Sequence, residues 1–238
     1  MDQDRVRFLL RFGDNTLVLS QRLGQWCGKG PALEEDMALT NVALDLLGQA
    51  RLWLSYAAEL QGEGADEDSL AFHRDASAFY NLLLVEQPNG TYADTLMRQL
   101  LFDAWHALAL RELGASTDQR VADIAQKATK EVAYHLRRSS DLVVRLGDGS
   151  ERSHAMMQDA LDNLWRFTGE MFEADAIDAA MMSARVGFTS TWTRRATPDP
   201  LSVSPMIQRA VSPAAIGPAP VSASPGSSAI LVIWPGVA

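Results

Sequence analysis

ALTNVALDLLGQARLW (residues 38–53), read with NTLVLSQRLGQW (15–26) and KEVAYHL (130–136), decides the fold of this 238-residue chain. In each, apolar residues recur at three- and four-residue intervals, the period of a helix that buries one face. Working outward, Arg5 to Gly24 carries Leu9, Leu10, Leu17, Leu19 and Leu23, and Leu33 to Leu60 repeats Met37, Leu44, Leu47, Ala50 and Leu54 on one broad stripe. GEGADEDS (62–69) closes that second helix, and Pro88 to Gly90 turns the chain into a third from about Tyr92 to Leu113. Thr117 or Asp118 caps a fourth running to Leu146, and after GDGS (147–150) a fifth spans about Ser153 to Met181. No segment keeps the two-residue alternation of a half-buried strand, and no internal repeat is present. Long amphipathic helices joined by short turns predict an all-α bundle of antiparallel helices.

Composition sets the outer limits. With 47% hydrophobic residues the chain can build a sizeable core, and no stretch approaches the roughly 20 apolar residues of a membrane span. A net charge of -9 and a pI near 4.9 argue against a nucleic-acid surface, which needs clustered Lys and Arg. The single cysteine, Cys27, cannot form an internal disulfide, and MDQDRVR does not open a secretory signal, so a cytoplasmic protein is expected. Composition breaks near Met182. Up to it stand 29 acids against 17 Lys and Arg with only Pro31 and Pro88, whereas from Ser183 onward there is one acid, Asp199, with eight prolines and nine serines. The expected division is a helical bundle over 1–182 and a Pro/Ser/Ala-rich tail over 183–238, either a disordered tail or the product of a reading-frame shift.

The three opening segments resemble the helices of a carboxylate-bridged di-iron bundle with most of its ligands replaced. Such a centre takes a Glu from each of two helices and a Glu-x-x-His pair from each of two others, because residues three apart share an inward face. Here the paired positions read Leu46-x-x-Gln49 and Val132-x-x-His135. Leu and Val cannot hold a hard cation, and Gln offers only a neutral amide.

LVLSQRLGQWCG (17–28), LEEDMALTNVALDLLGQARLWLSYAAEL (33–60), NLLLVEQPNG (81–90), FDAWH (102–106), KEVAYHLRRS (130–139) and LWRFTGEMF (164–172) resemble the C subunits of the bacterial phenylacetyl-CoA 1,2-epoxidases, ring-1,2-phenylacetyl-CoA monooxygenases. The resemblance runs to about Met182 and implies a ferritin-like fold and a place in a multicomponent oxygenase of aerobic phenylacetate breakdown. In that family the di-iron site lies in a homologous catalytic subunit, a reductase supplies electrons from NADPH, and the C subunits are non-catalytic partners. Carried across, the family's ligand pattern falls on Thr16 in the first helix, Leu46 and Gln49, Asp103, and Val132 and His135. Only Asp103 and His135 keep metal-binding chemistry, so the resemblance implies that this chain has no catalytic residues and binds no cofactor of its own.

The remaining candidates carry a bland reading beside the sharp one. Asp103-x-x-His106 and Glu131-x-x-x-His135 place carboxylate and imidazole on shared helix faces. They fit buried polar networks joining helices, or else half-sites of a ferritin-like oxygenase or peroxide-reactive enzyme active in its own right. Glu151-x-x-His154 falls where a helix begins, where acids suit the dipole; the acids of LEEDMA (33–38) have the same explanation. His73 reads as a partly exposed loop residue. Trp26, Trp53, Trp105 and Trp165 are too scattered for a base-stacking platform and fit core or interface anchors. No glycine-rich nucleotide loop and no Gly-x-Ser-x-Gly is present.

Overall fold

The computed structural model describes residues 2–188, and these build an all-α antiparallel bundle. Its long helices are α1 (Asp2–Gly24), α2 (Leu33–Gln61), α5 (Tyr92–Leu113) and α6 (Gln119–Gly147), with short α3 (Glu67–Phe72) and α4 (Leu83–Glu86) in the crossover between α2 and α5. After them come α7 (Glu151–Trp165) and α8 (Ala176–Ser183). The turns after α1 and α5 are short, so α1 packs antiparallel on α2 and α5 on α6; α7 covers the second pair and α8 packs on α1. Among the described residues no helix is long and apolar enough to cross a membrane.

Helix starts follow local chemistry. Asp118 accepts from the backbone N–H groups of Arg120 and Val121, and Thr91 and Asp94 form a reciprocal capping box at α5. The α1 leucines at 9, 10, 17, 19 and 23 are all buried. Phe12 lies at the middle of an aromatic cluster, its ring centroid 5.3 Å from those of Phe8 and Trp53 and 6.0 Å from that of Trp105. Polar clamps hold the crossover to α1: Arg74 pairs with the fully buried Asp14, and Asn15 accepts from the Leu82 amide at 2.8 Å.

Three expectations need correction. The fifth helix is not continuous from Ser153 to Met181. It stops at Trp165, where Thr168 Oγ1 donates back to the Trp165 carbonyl at 2.8 Å, and a 3₁₀ turn over Gly169–Phe172 follows, pinned by Trp105 Nε1 donating to Met171 O at 2.9 Å. Asp175 then starts α8 through a capping box with Asp178. The loop 62–69 is shorter than read, because Asp66 caps α3 in the same way. The α2 stripe divides: Ala50 and Leu54 are buried, whereas Met37, Leu44 and Leu47 are 58%, 59% and 46% exposed. Leu39, Val42, Leu46 and Trp53 supply the inward face instead.

Packing continues past the composition break at Met182. Val186 and Gly187 return their amides to Met181 O, Thr117 donates to Arg185 O, and the buried Phe188 ring sits 5.9 Å from that of Phe8. The tail reading from residue 189 onward lies outside the described residues. Phe188→Ala is expected to cost about 3 kcal/mol, the usual penalty for emptying a buried aromatic site. Urea unfolding of the full chain measures it, and a change under about 0.5 kcal/mol, the size of a surface substitution, would detach Phe188 from the core.

Candidate functional site

The long helices bring all six positions onto which the resemblance carries the ligand pattern inside the bundle: Thr16, Leu46, Gln49, Asp103, Val132 and His135 are each at most 1% exposed. Thr16 turns its hydroxyl onto its own helix, with Phe12 O at 2.8 Å and Gly13 O at 3.1 Å as acceptors. Leu46 and Val132 belong to the apolar core. The polar positions pair off. Asp103 on α5 accepts from Gln99 Nε2 at 2.7 Å and from Ser139 Oγ of α6 at 3.1 Å. Gln49 on α2 donates to Glu131 Oε2 of α6 at 2.8 Å, and His135 Nε2 lies 3.0 Å from Asp45 Oδ2, which reaches toward solvent.

Burial shifts the titration of this centre in opposite senses. Desolvation raises the Asp103 carboxyl to about 7, against the opposing pull of His135 and the hydrogen bonds from Gln99 and Ser139. Desolvation, with a smaller contribution from His135, pushes the His106 imidazole down to about 3. His106 sits among Phe102 and Trp105, with ring centroids 5.0 and 6.0 Å away, and neither of its nitrogens has a hydrogen-bond partner. His135 Nδ1, Gln49 Oε1 and Gln99 Oε1 are likewise buried without a partner.

A two-iron centre does not fit this donor set. The six carried-over positions offer one carboxylate and one imidazole, both Asp103 oxygens are engaged by Gln99 and Ser139, and Asp45 occupies one His135 nitrogen. Among the described residues no group of three or more His, Cys, Asp and Glu converges with metal-binding geometry. The alternative set of Asp103, His106, Glu131 and His135 is divided accordingly, with Glu131 drawn to Gln49 and His106 enclosed by aromatic rings. Glu151 is exposed, while His154 Nδ1 lies 2.8 Å from the Gly147 carbonyl at the end of α6. His73 is exposed at the end of α3, and Cys27 is exposed.

Sequence reading missed Asp45, Gln99 and Ser139. Gln99 stands four residues before Asp103, and Ser139 four after His135, so each shares a helix face with a residue already singled out.

Fold and interior together define an all-α antiparallel helical bundle whose centre is filled by hydrogen bonds and apolar side chains. The chain matches the family described as phenylacetic acid catabolic protein over residues 1–197. It is 59% identical over 174 residues to the C subunit of 1,2-phenylacetyl-CoA epoxidase of Escherichia coli (strain K12), a match covering 73% of this chain and 70% of that protein. The chain belongs to the phenylacetic acid catabolic protein family.

A folded chain that keeps a proton on Asp103 up to about pH 7 gains stability from it in acid and loses that contribution as pH rises through about 7, because the unfolded carboxyl has already released its proton. His106 acts in the opposite sense, withdrawing stability as pH falls from its ordinary value toward 3. Asp103→Asn removes only the first effect. Between about pH 5.5 and 8.5 the variant should gain roughly 1–3 kcal/mol relative to the parent chain in urea unfolding. A difference constant with pH would show that Asp103 does not titrate as a buried acid.

Proposed function

We propose that this chain is a non-catalytic structural and docking subunit of a multicomponent oxygenase that epoxidises the aromatic ring of phenylacetyl-CoA in aerobic phenylacetate catabolism. The di-iron centre belongs in this reading to a homologous partner subunit, with electrons reaching it from NADPH through a reductase, and the assembly works in the cytoplasm. The carrying observation is the conversion of the centre into internal structure. Where a ligand set would present free carboxylates, Asp103 is consumed by Gln99 and Ser139, Gln49 ties α2 to Glu131, and Leu46 and Val132 fill space. The name of the Escherichia coli relative, as one subunit of 1,2-phenylacetyl-CoA epoxidase, supports the substrate and the existence of partner subunits.

A second reading has one observation in its favour. The unpartnered nitrogens of His106 and His135 are what an iron-binding enzyme active in its own right would leave free for a metal. Loss of the acids at Thr16, Leu46 and Val132 counts against it, because neutral donors cannot balance the charge of two irons. Protein expressed with excess iron and purified without chelator separates the two. The expected result is no stoichiometric iron, no oxygen-dependent turnover by the isolated chain, and copurification with the homologous di-iron subunit when both are expressed together. Two irons per chain with a bridging-oxygen absorption band would overturn the proposal.

A further inference from the structure

The outward face of α2 carries a second apolar pattern that the bundle does not use. Leu33, Met37, Thr40, Leu44, Leu47 and Arg51 follow one another at alternating spacings of four and three, the seam of a helix packed lengthwise against another. Within it Leu33, Met37, Leu44 and Leu47 are 72%, 58%, 59% and 46% exposed. Phe72 of α3, 68% exposed, lies beside the seam and lines with Leu44, Leu47 and Gly48 a groove of about 610 Å³. These apolar side chains present on the order of 500 Å² to solvent, beyond the scatter of single exposed residues and a large part of the roughly 800 Å² that each partner gives to a stable interface.

Gly48 supplies an independent observation. It sits in mid-helix, exposed, and a Cβ built there would meet nothing within 4 Å. A glycine in a helix interior costs roughly 0.5–1 kcal/mol relative to alanine, and nothing within the bundle requires it. A neighbouring helix lying closely across the groove would.

We infer that the α2 seam from Leu33 to Leu47, with Gly48 at its closest approach, is the surface on which a long helix of the homologous partner subunit packs. This rests on the docking role proposed above and adds where and how the partner binds. A second copy of the chain is disfavoured by charge. Exposed Glu34 and Asp68 flank the seam, beside Asp45, which pairs with His135, and Glu67, which pairs with Arg51, so in a chain of net charge -9 self-pairing sets acids against acids, whereas a partner helix with Lys or Arg beside its apolar stripe complements Glu34 and Asp68. The chain's own C-terminal sequence does not suit the seam either. No run free of proline beyond Phe188 exceeds nine residues, and the apolar part of the seam spans 15.

The test coexpresses the full chain, its Gly48→Leu variant and its Leu44→Glu/Leu47→Glu variant with the homologous di-iron subunit. Complex formation is measured by size-exclusion chromatography with light scattering, and melting of each isolated chain is recorded alongside. Both variants should melt close to the parent chain and bind the partner about tenfold more weakly or worse. Should the charged pair melt early, Gly48→Leu carries the test, since its first added atom meets nothing in the fold. A parent complex that both variants form undiminished would overturn the seam and leave the docking role standing. Absence of any parent complex would remove the docking role and the seam with it. An isolated parent dimer dissolved by Gly48→Leu would give the seam to a second copy and overturn the partner assigned here.

Discussion

A carboxylate removed from water at the middle of the bundle constrains how its helices can meet. Asp103 is fully buried, and an ionised or unpaired acid in such surroundings costs more than one helix contact returns. Its two hydrogen bonds therefore act as position markers. Gln99 donates to it from one turn earlier on α5 and Ser139 donates to it from α6, so rotating or sliding either helix by one residue would strand a polar atom among leucines. Apolar packing tolerates small slips in a way that this pair of bonds does not.

Two further polar links extend the constraint to α2. Gln49 with Glu131, and Asp45 with His135, join α2 to α6 about one turn apart, while the contact of α1 on α2 and of α5 on α6 is chiefly apolar. The two helical pairs are thus fastened to each other by polar groups at the middle of the bundle. Polar residues at the centre of this bundle set the register between its helices.

Most of the helical architecture was legible because period and caps agreed: α1, α2, α5 and α6 begin and end within a few residues of their apolar repeats and Asp118 capping signal. The break between α7 and α8 was less visible. Apolar residues continue through Trp165 to Met181 without proline, and what interrupts them is a tertiary bond from Trp105 to Met171 O together with the Asp175–Asp178 capping box, a local signal that was present in the sequence. The inward facing of Leu46 and Gln49 on α2 and of Val132 and His135 on α6 was legible from i, i+3 spacing. Their actual partners were not, since Asp45 and Ser139 reach across to other helices and a single sequence does not say which faces will meet.

The same limit applies to α2. Its apolar residues lie on two sides, one at 39, 42, 46, 50, 53 and 54 and the other at 33, 37, 44 and 47, and hydrophobicity alone fits either side to the core. Packing decides between them: α1 and α6 claim the first face, where Gln49 finds Glu131. Leu44 and Leu47 lie outside that face, 59% and 46% exposed, and a change of rotamer does not carry a side chain across the helix into the core. The proposed partner helix would cover this second apolar face, and Gly48, a cost to the helix with no return inside the fold, lies on that same face.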